Sequence, residues 1–118
     1  MTAEGRPDRF LGFLGLARRA GKTVHGAPLI FTAMRGKHPP CLVIAAADAS
    51  AGAQKKLRTK CSFYAIPLLI SAYDKATLAH AIGSPGELAA VGISDAGMAN
   101  QLLKLSGNIP DTDRNEEM

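Results

Sequence analysis

Apolar residues recur along this chain in two alternating rhythms, one helical and one extended. Between Asp8 and Ala20, the residues Phe10, Phe13, Leu14 and Ala17 follow the i, i+3, i+4, i+7 spacing of a single helical face, and Leu11 and Leu16 widen the stripe. Asp8 is placed to cap this helix and Gly21 to end it. Gly12 and Gly15 each cost about 1 kcal/mol against alanine inside a helix, which predicts that both pack closely against a neighbour. Lys22-Thr23-Val24-His25 is long enough only for an edge strand. A second helix is expected from Gly26 or Ala27 to Arg35, with Pro28 in the first turn, where a missing N–H does least harm. Leu29, Ile30, Ala33 and Met34 form its expected buried stripe, and Gly36 followed by His38-Pro39-Pro40 stops it.

The second rhythm begins at Cys41-Leu42-Val43-Ile44-Ala45-Ala46-Ala47, an unbroken apolar run that predicts a strand covered on both faces. Asp48-Ala49-Ser50 then caps a helix reaching about Cys61, with Lys55, Lys56, Arg58 and Lys60 outward and Leu57 inward. Ile66 to Ser71 reads as the next buried strand, with Pro67 near its start. Asp74 caps a helix from Lys75 to Ile82 that Gly83 closes. Leu88 to Ile93 is the last strand, and Ser94 or Asp95 caps a final helix through Leu105, with Met98, Leu102 and Leu105 inward. This alternation predicts an α/β domain over residues 8–106 with helices on both faces of a sheet. Residues 1–7 read as a flexible N-terminus and 107–118 as an acidic disordered tail.

Composition adds limits. At 118 residues and 47% hydrophobic, the chain suits one domain with a real core. No apolar run approaches the roughly 20 residues needed to span a bilayer, and the N-terminal stretch lacks a signal peptide's apolar segment. A cytoplasmic, monomeric protein without a membrane partner is expected. Cys41 and Cys61 stand twenty residues apart with no second pair, so reduced, mostly buried thiols are expected rather than a metal site. The net charge of +4 conceals an asymmetry: Arg18 to Lys60 holds nine cations against Asp48, whereas Cys61 to Met118 holds three cations against seven acids. A chain so polarised offers a positive face to a polyanion.

Catalysis finds no support in the residues. Ala20-Gly21-Lys22-Thr23 resembles the end of a phosphate-binding loop, but that motif needs glycine where Leu16 stands and should follow a strand. His25, His38 and His80 are scattered, and Asp48, Asp74 and Asp95 are accounted for as helix caps. No enzyme, cofactor or metal is therefore expected. Recognition remains. Arg18, Arg19 and Lys22 gather beside the opening turn of the second helix, where unpaired N–H groups and the positive dipole end attract anions, and Gly26, Ala27 and Pro28 leave room for a backbone to approach. The cations of the third helix read as a solvated face. Phe31, expected in the core, is the single aromatic residue between Lys22 and Lys60. Shape and phosphate recognition of folded or double-stranded RNA is thus favoured over base stacking.

The stretch Gly15-Leu16-Ala17-Arg18-Arg19-Ala20-Gly21-Lys22, then Val24-x-Gly26, then Leu42-Val43-Ile44-Ala45 leading to Asp48-Ala49-Ser50, is similar to the bacterial YlxQ-type ribosomal proteins. Lys55-Lys56-Leu57 with Lys60-Cys61, Ile66-Pro67, Leu78-x-x-Ala81-Ile82-Gly83 and Val91-Gly92-Ile93-Ser94-Asp95-x-Gly97 follow the same pattern in order, so the likeness runs from about Phe10 to Leu105. These proteins resemble the larger group of "L seven Ae" and "L thirty e" ribosomal proteins. The resemblance implies a three-layer α/β/α sandwich with a mixed sheet of about four strands. It also implies binding to kink-turn RNA, a sharply bent helix with tandem sheared G·A pairs, with ribosomal RNA and the ribosome as partners. Carried over, the reading surface is Gly26, Ala27, Pro28 and Leu29 with Ile82, Gly83 and Ser84, beside Lys22; Thr23 is expected next to it, and the charges of Arg18, Arg19, Lys22, Arg35 and Lys37 are expected to meet phosphates. The chain departs from the kink-turn binders at Ala27-Pro28-Leu29, where they carry a polar set including Asn-Glu, at Thr32, where they carry lysine, and at Ala47, where they often carry an acid. Phosphate contact with weaker or differently selective base readout is the resulting expectation. The alternatives are a protein-interaction module that kept the fold and lost the RNA site, and a detached substrate domain of an RNA-modifying enzyme.

Overall fold

The computed structural model describes residues 8–107, so the expectations for residues 1–7 and for the acidic tail beyond Gly107 lie outside the described residues. The elements run α1 (Arg9–Arg19), β1 (Thr23–His25), α2 (Ala27–Met34), β2 (Leu42–Ala45), α3 (Ala51–Tyr64), β3 (Leu68–Ile70), α4 (Lys75–Ala81), β4 (Ala90–Ile93) and α5 (Ala96–Ser106). The sheet is mixed, in the order β1-β4-β2-β3: β4 is antiparallel to both neighbours, and β2 is parallel to β3.

Period-2 alternation decides which helices cover which face. Leu42 and Ile44 of β2, Leu69 of β3 and Val91 and Ile93 of β4 point into one core with Phe10, Leu14 and Ala17 of α1, Leu78 of α4 and Ala99 and Leu102 of α5. Val43, Ala45 and Ala90 point the other way and pack with Ile30 and Met34 of α2 and Leu57 and Cys61 of α3. The result is a three-layer α/β/α sandwich with α1, α4 and α5 on one side and α2 and α3 on the other. Every residue of β2 and β4 is buried, as the unbroken apolar runs require. Burial pushes the Cys61 thiol up to about 11.

The strands are shorter than their apolar runs, because Ala46, Ile66 and Leu88 belong to the turns and helix approaches that flank them. Three corrections concern one cap, one glycine and one position of the α2 stripe. Ser50, not Asp48, caps α3, its hydroxyl accepting the Ala53 N–H at 3.1 Å. Asp48 instead reaches across to accept the Lys75 N–H at 2.8 Å. Gly15 packs as expected, since a Cβ there would lie 3.1 Å from the Ala81 carbonyl oxygen, whereas Gly12 faces open space. Leu29 leaves the expected stripe and is 60% exposed.

One glycine in an interior strand sets a helix position. A Cβ at Gly92 of β4 would lie 3.3 Å from Ile30 Cγ1 and 3.4 Å from both Pro40 Cβ and Val24 Cβ. The absent side chain lets α2 sit close upon the sheet.

Candidate nucleic-acid interface

The site is built on β1 and the two helices it joins. α1 ends in a Schellman motif: the Gly21 N–H bonds the Arg18 carbonyl at 3.0 Å and the Lys22 N–H bonds the Ala17 carbonyl at 2.9 Å, with Gly21 at φ +74°. That turn aims the chain into β1, which pairs with β4 on one side only and so keeps an open edge. At the far end of β1, Gly26 donates to the Ala90 carbonyl at 3.0 Å and accepts the Ile30 N–H at 3.0 Å, closing the strand and opening the helix with one residue. It does so at φ +92° and ψ 149°, a conformation in which only glycine is at ease.

No side chain caps α2. Pro28 has no N–H, so Ala27 and Leu29 hold the outward donors of the first turn, at the positive end of the helix dipole. Leu88, in the segment leading to β4, comes within 3.6 Å of where a Gly26 Cβ would be, placing that segment beside the turn.

Between α1, β1 and α2 runs an open groove of about 470 Å³, lined by Arg18, Gly21, Thr23, Val24, His25, Leu29, Thr32 and Ala33. Thr23 and His25 share one face of β1, and Thr23 Oγ1 lies 2.8 Å from His25 Nε2. Burial, and then the Arg18 guanidinium, hold the His25 pKa below its ordinary 6.5, so the imidazole is neutral at pH 7. Thr32 donates its hydroxyl to the Pro28 carbonyl at 3.2 Å. The groove thus offers a cation, a neutral imidazole, two hydroxyl groups and the apolar Leu29.

The structure treats the thirteen sequence-derived candidates unequally. Arg18, Thr23 and Leu29 meet in the groove, with Gly26, Ala27 and Pro28 at its helical end. The Arg19 guanidinium instead runs back along α1, with Nη1 4.0 Å from the Cβ position of Gly15, which faces the Ala81 carbonyl. Lys22 is exposed at the start of β1, where its carbonyl accepts the Ser94 N–H at 2.9 Å. The turn at Gly26 folds α2 back along β1, so Arg35 and Lys37 return to the strand's Lys22 end rather than to the helix opening. Over its eight residues α2 separates them from Gly26 by about 12 Å. In the second loop, the Ile82 side chain is 1% exposed and belongs to the core, and the Ser84 N–H is spent on the Ala79 carbonyl in closing α4. Gly83 stays exposed at φ +68°.

Sequence reasoning passed over His25, Val24 and Ala33. The i, i+2 pairing of Thr23 with His25 on an edge strand was the available signal. Among the described residues no group of three or more His, Cys, Asp or Glu could hold a metal ion, and no helix is long and apolar enough to cross a membrane.

No known family model matches the chain. It is 36% identical over 92 residues to the RNA-binding protein YlxQ of Bacillus subtilis (strain 168), covering 78% of this chain and 89% of that protein. It is 32% identical over 102 residues to the RNA-binding protein YlxQ of Enterococcus faecium, covering 86% and 95%. Among solved structures, a protein of unknown function from Bacillus halodurans C superposes with a TM-score of 0.78 at 33% identity, covering 86% of this chain and 99% of that one. The Giardia lamblia 15.5kD RNA binding protein shares the fold, with a TM-score of 0.65 at 21% identity over 84% of this chain and 82% of its own. With identity above 30% along nearly the full length of two curated relatives, the chain belongs to the YlxQ family.

Proposed function

We propose that this protein is a non-catalytic, cytoplasmic RNA-binding protein, monomeric and ribosome-associated, that recognises a kink-turn or similarly bent RNA. Two YlxQ relatives are named for RNA binding, which supports the ligand class. The observation that carries the reading is the uncapped first turn of α2 opening onto a groove that holds Arg18. Phosphate oxygens accept from the N–H groups of Ala27 and Leu29 at the dipole's positive end. The backbone then follows the open edge of β1 towards Lys22, Arg35 and Lys37, with Arg19 and Gly83–Ser84 meeting the flanking strand. With Pro28 and Leu29 in the opening turn, affinity comes chiefly from phosphate contact and shape.

If about five phosphates are neutralised, log affinity falls against log salt with a slope of several units. Titration of a kink-turn RNA and a straight duplex of equal length over a salt series tests this. A steep slope with tighter binding to the bent RNA is expected. A flat slope with equal failure on both would overturn the reading.

A further inference from the structure

Helix α3 presents a second surface, on which the most exposed large apolar side chain among the described residues sits among cations. Its sequence, AGAQKKLRTKCSFY, holds Lys55, Lys56, Arg58 and Lys60 and no acid. Leu57 and Cys61 turn inward and are buried. At about 100° per residue, Lys56, Lys60 and Phe63 follow each other at i, i+4 and i+7, with Lys55 and Thr59 alongside. The helix runs to Tyr64, one turn beyond the Cys61 limit expected from sequence, and this extra turn brings Phe63 into line with the cations.

Phe63 is 79% exposed. Its ring meets the Tyr64 ring at nearly a right angle, 4.9 Å between centroids, and keeps most of its surface open to solvent. Lys56 is held in place, its Nζ 5.3 Å from the centroid of the half-buried Phe31 ring of α2. Among the described residues the one ion pair joins Lys75 to Glu87, so none of the four α3 cations is neutralised there. A membrane-binding helix face would need a continuous apolar stripe. Here a single ring shares its helix face with Thr59 and Lys60 one turn before it and Lys56 two turns before it, the make-up of a base-stacking platform with phosphate contacts.

We propose that the outer face of α3 is a second RNA-contact surface, which takes an unpaired segment by stacking one base on Phe63 while Lys55, Lys56 and Lys60 meet its phosphates. It shares with the preceding section the reading that the ligand is RNA, and it rests on different residues.

The test uses the full chain and four probes: a blunt kink-turn duplex, the same duplex with a ten-uridine overhang on either strand, the free ten-uridine oligonucleotide, and vesicles of phosphatidylglycerol and phosphatidylethanolamine. An overhang tightens wild-type binding roughly tenfold, the scale of one stacked base. Phe63→Ala removes that gain, Phe63→Trp keeps it, and neither changes binding to the blunt duplex. A 5-iodouridine placed in the overhang crosslinks to Phe63. Should the blunt duplex fail to bind while the free oligonucleotide binds with Phe63 dependence, the α2 reading falls and this one stands. No gain from either overhang, a gain that survives Phe63→Ala, or Phe63 dependence confined to vesicles would overturn it.

Discussion

The carboxylate of Asp48 accepts the backbone N–H of Lys75 at 2.8 Å, across a sequence separation of 27 residues. Asp74 accepts the Thr77 N–H of the same first turn, also at 2.8 Å. Two acids from different loops therefore share the orphan donors of α4, one locally and one from the exit of β2. Asp48→Ala should cost about 1 kcal/mol, a cap's usual worth, and Asp74→Ala should destabilise the same turn. Urea denaturation of both variants and their combination checks this. A loss at Asp48 smaller than about 0.3 kcal/mol would show that the long-range contact does not contribute.

The start of α1 carries a pH-sensitive tie. Tyr73 Oη donates to Asp8 Oδ2 at 2.6 Å, and the Tyr73 ring stacks on Phe10 at 5.4 Å. Burial raises the Asp8 pKa, but hydrogen bonds from Tyr73 and the Leu11 N–H outweigh it and hold the carboxyl below its ordinary 3.8. Burial first, and then Asp8, push the Tyr73 phenol up to about 12. For Asp8 the folded pKa is depressed, so its contribution is present above about pH 4 and fades as pH falls through the folded value. For Tyr73 the folded pKa is raised, so its contribution is whole below pH 10 and disappears as pH climbs towards 12. Tyr73→Phe should lose about 1 kcal/mol at neutral pH and flatten both limbs of the stability profile, as followed by circular dichroism.

Ala65 ends α3 at φ +56°, the one non-glycine residue with positive φ among those described. It closes a turn in which the Ile66 N–H bonds the Cys61 carbonyl at 2.8 Å. The left-handed conformation costs an L-residue roughly 1–2 kcal/mol, part of which glycine returns to chain entropy. Ala65→Gly should therefore stabilise the fold by about 0.5–1 kcal/mol, visible as a raised Tm.

Opposite changes at the groove separate scaffold from ligand. Gly26→Ala meets no clash, since its new Cβ would lie 3.6 Å from Leu88, yet the backbone there suits glycine alone. A cost of about 1–3 kcal/mol is expected, together with weakened RNA binding. Thr32→Lys adds a cation at the groove wall and sacrifices only an exposed hydroxyl contact. It should tighten RNA binding and steepen the salt slope by about one unit with little change in Tm. Isothermal titration at three salt concentrations, paired with thermal melts, checks both.

Much of the fold was legible because its signals are local. The buried runs at Leu42–Ala45 and Ala90–Ile93, the caps at Asp8, Asp74 and Asp95, and the glycine stops at Gly21 and Gly83 all act within a few residues. The site was legible only in part. Gly26 and Pro28 announce a helix opening in any context, but whether Arg35 sits at that opening or a helix length away depends on α2 folding back along β1. Asp48 looked like a cap because it precedes a helix, and it is one, for a helix that begins 27 residues later. Leu29 fits a buried stripe by spacing, yet it lines the open groove beside β1. Phe63 escaped notice because its meaning depends on α3 continuing to Tyr64, and helix ends are poorly encoded by periodicity.

The hydrogen atom at position 92 governs a dimension of the molecule that it never borders. Any larger group there would press on Ile30, Pro40 and Val24 at once, lifting the second helix away from the strands beneath it. The channel along the sheet's free margin would widen, and the two N–H groups that the proposed function assigns to a phosphate would swing out of line with Arg18. On that proposal, ligand fit is gauged from inside, by a spacer beneath the helix rather than at its exposed opening.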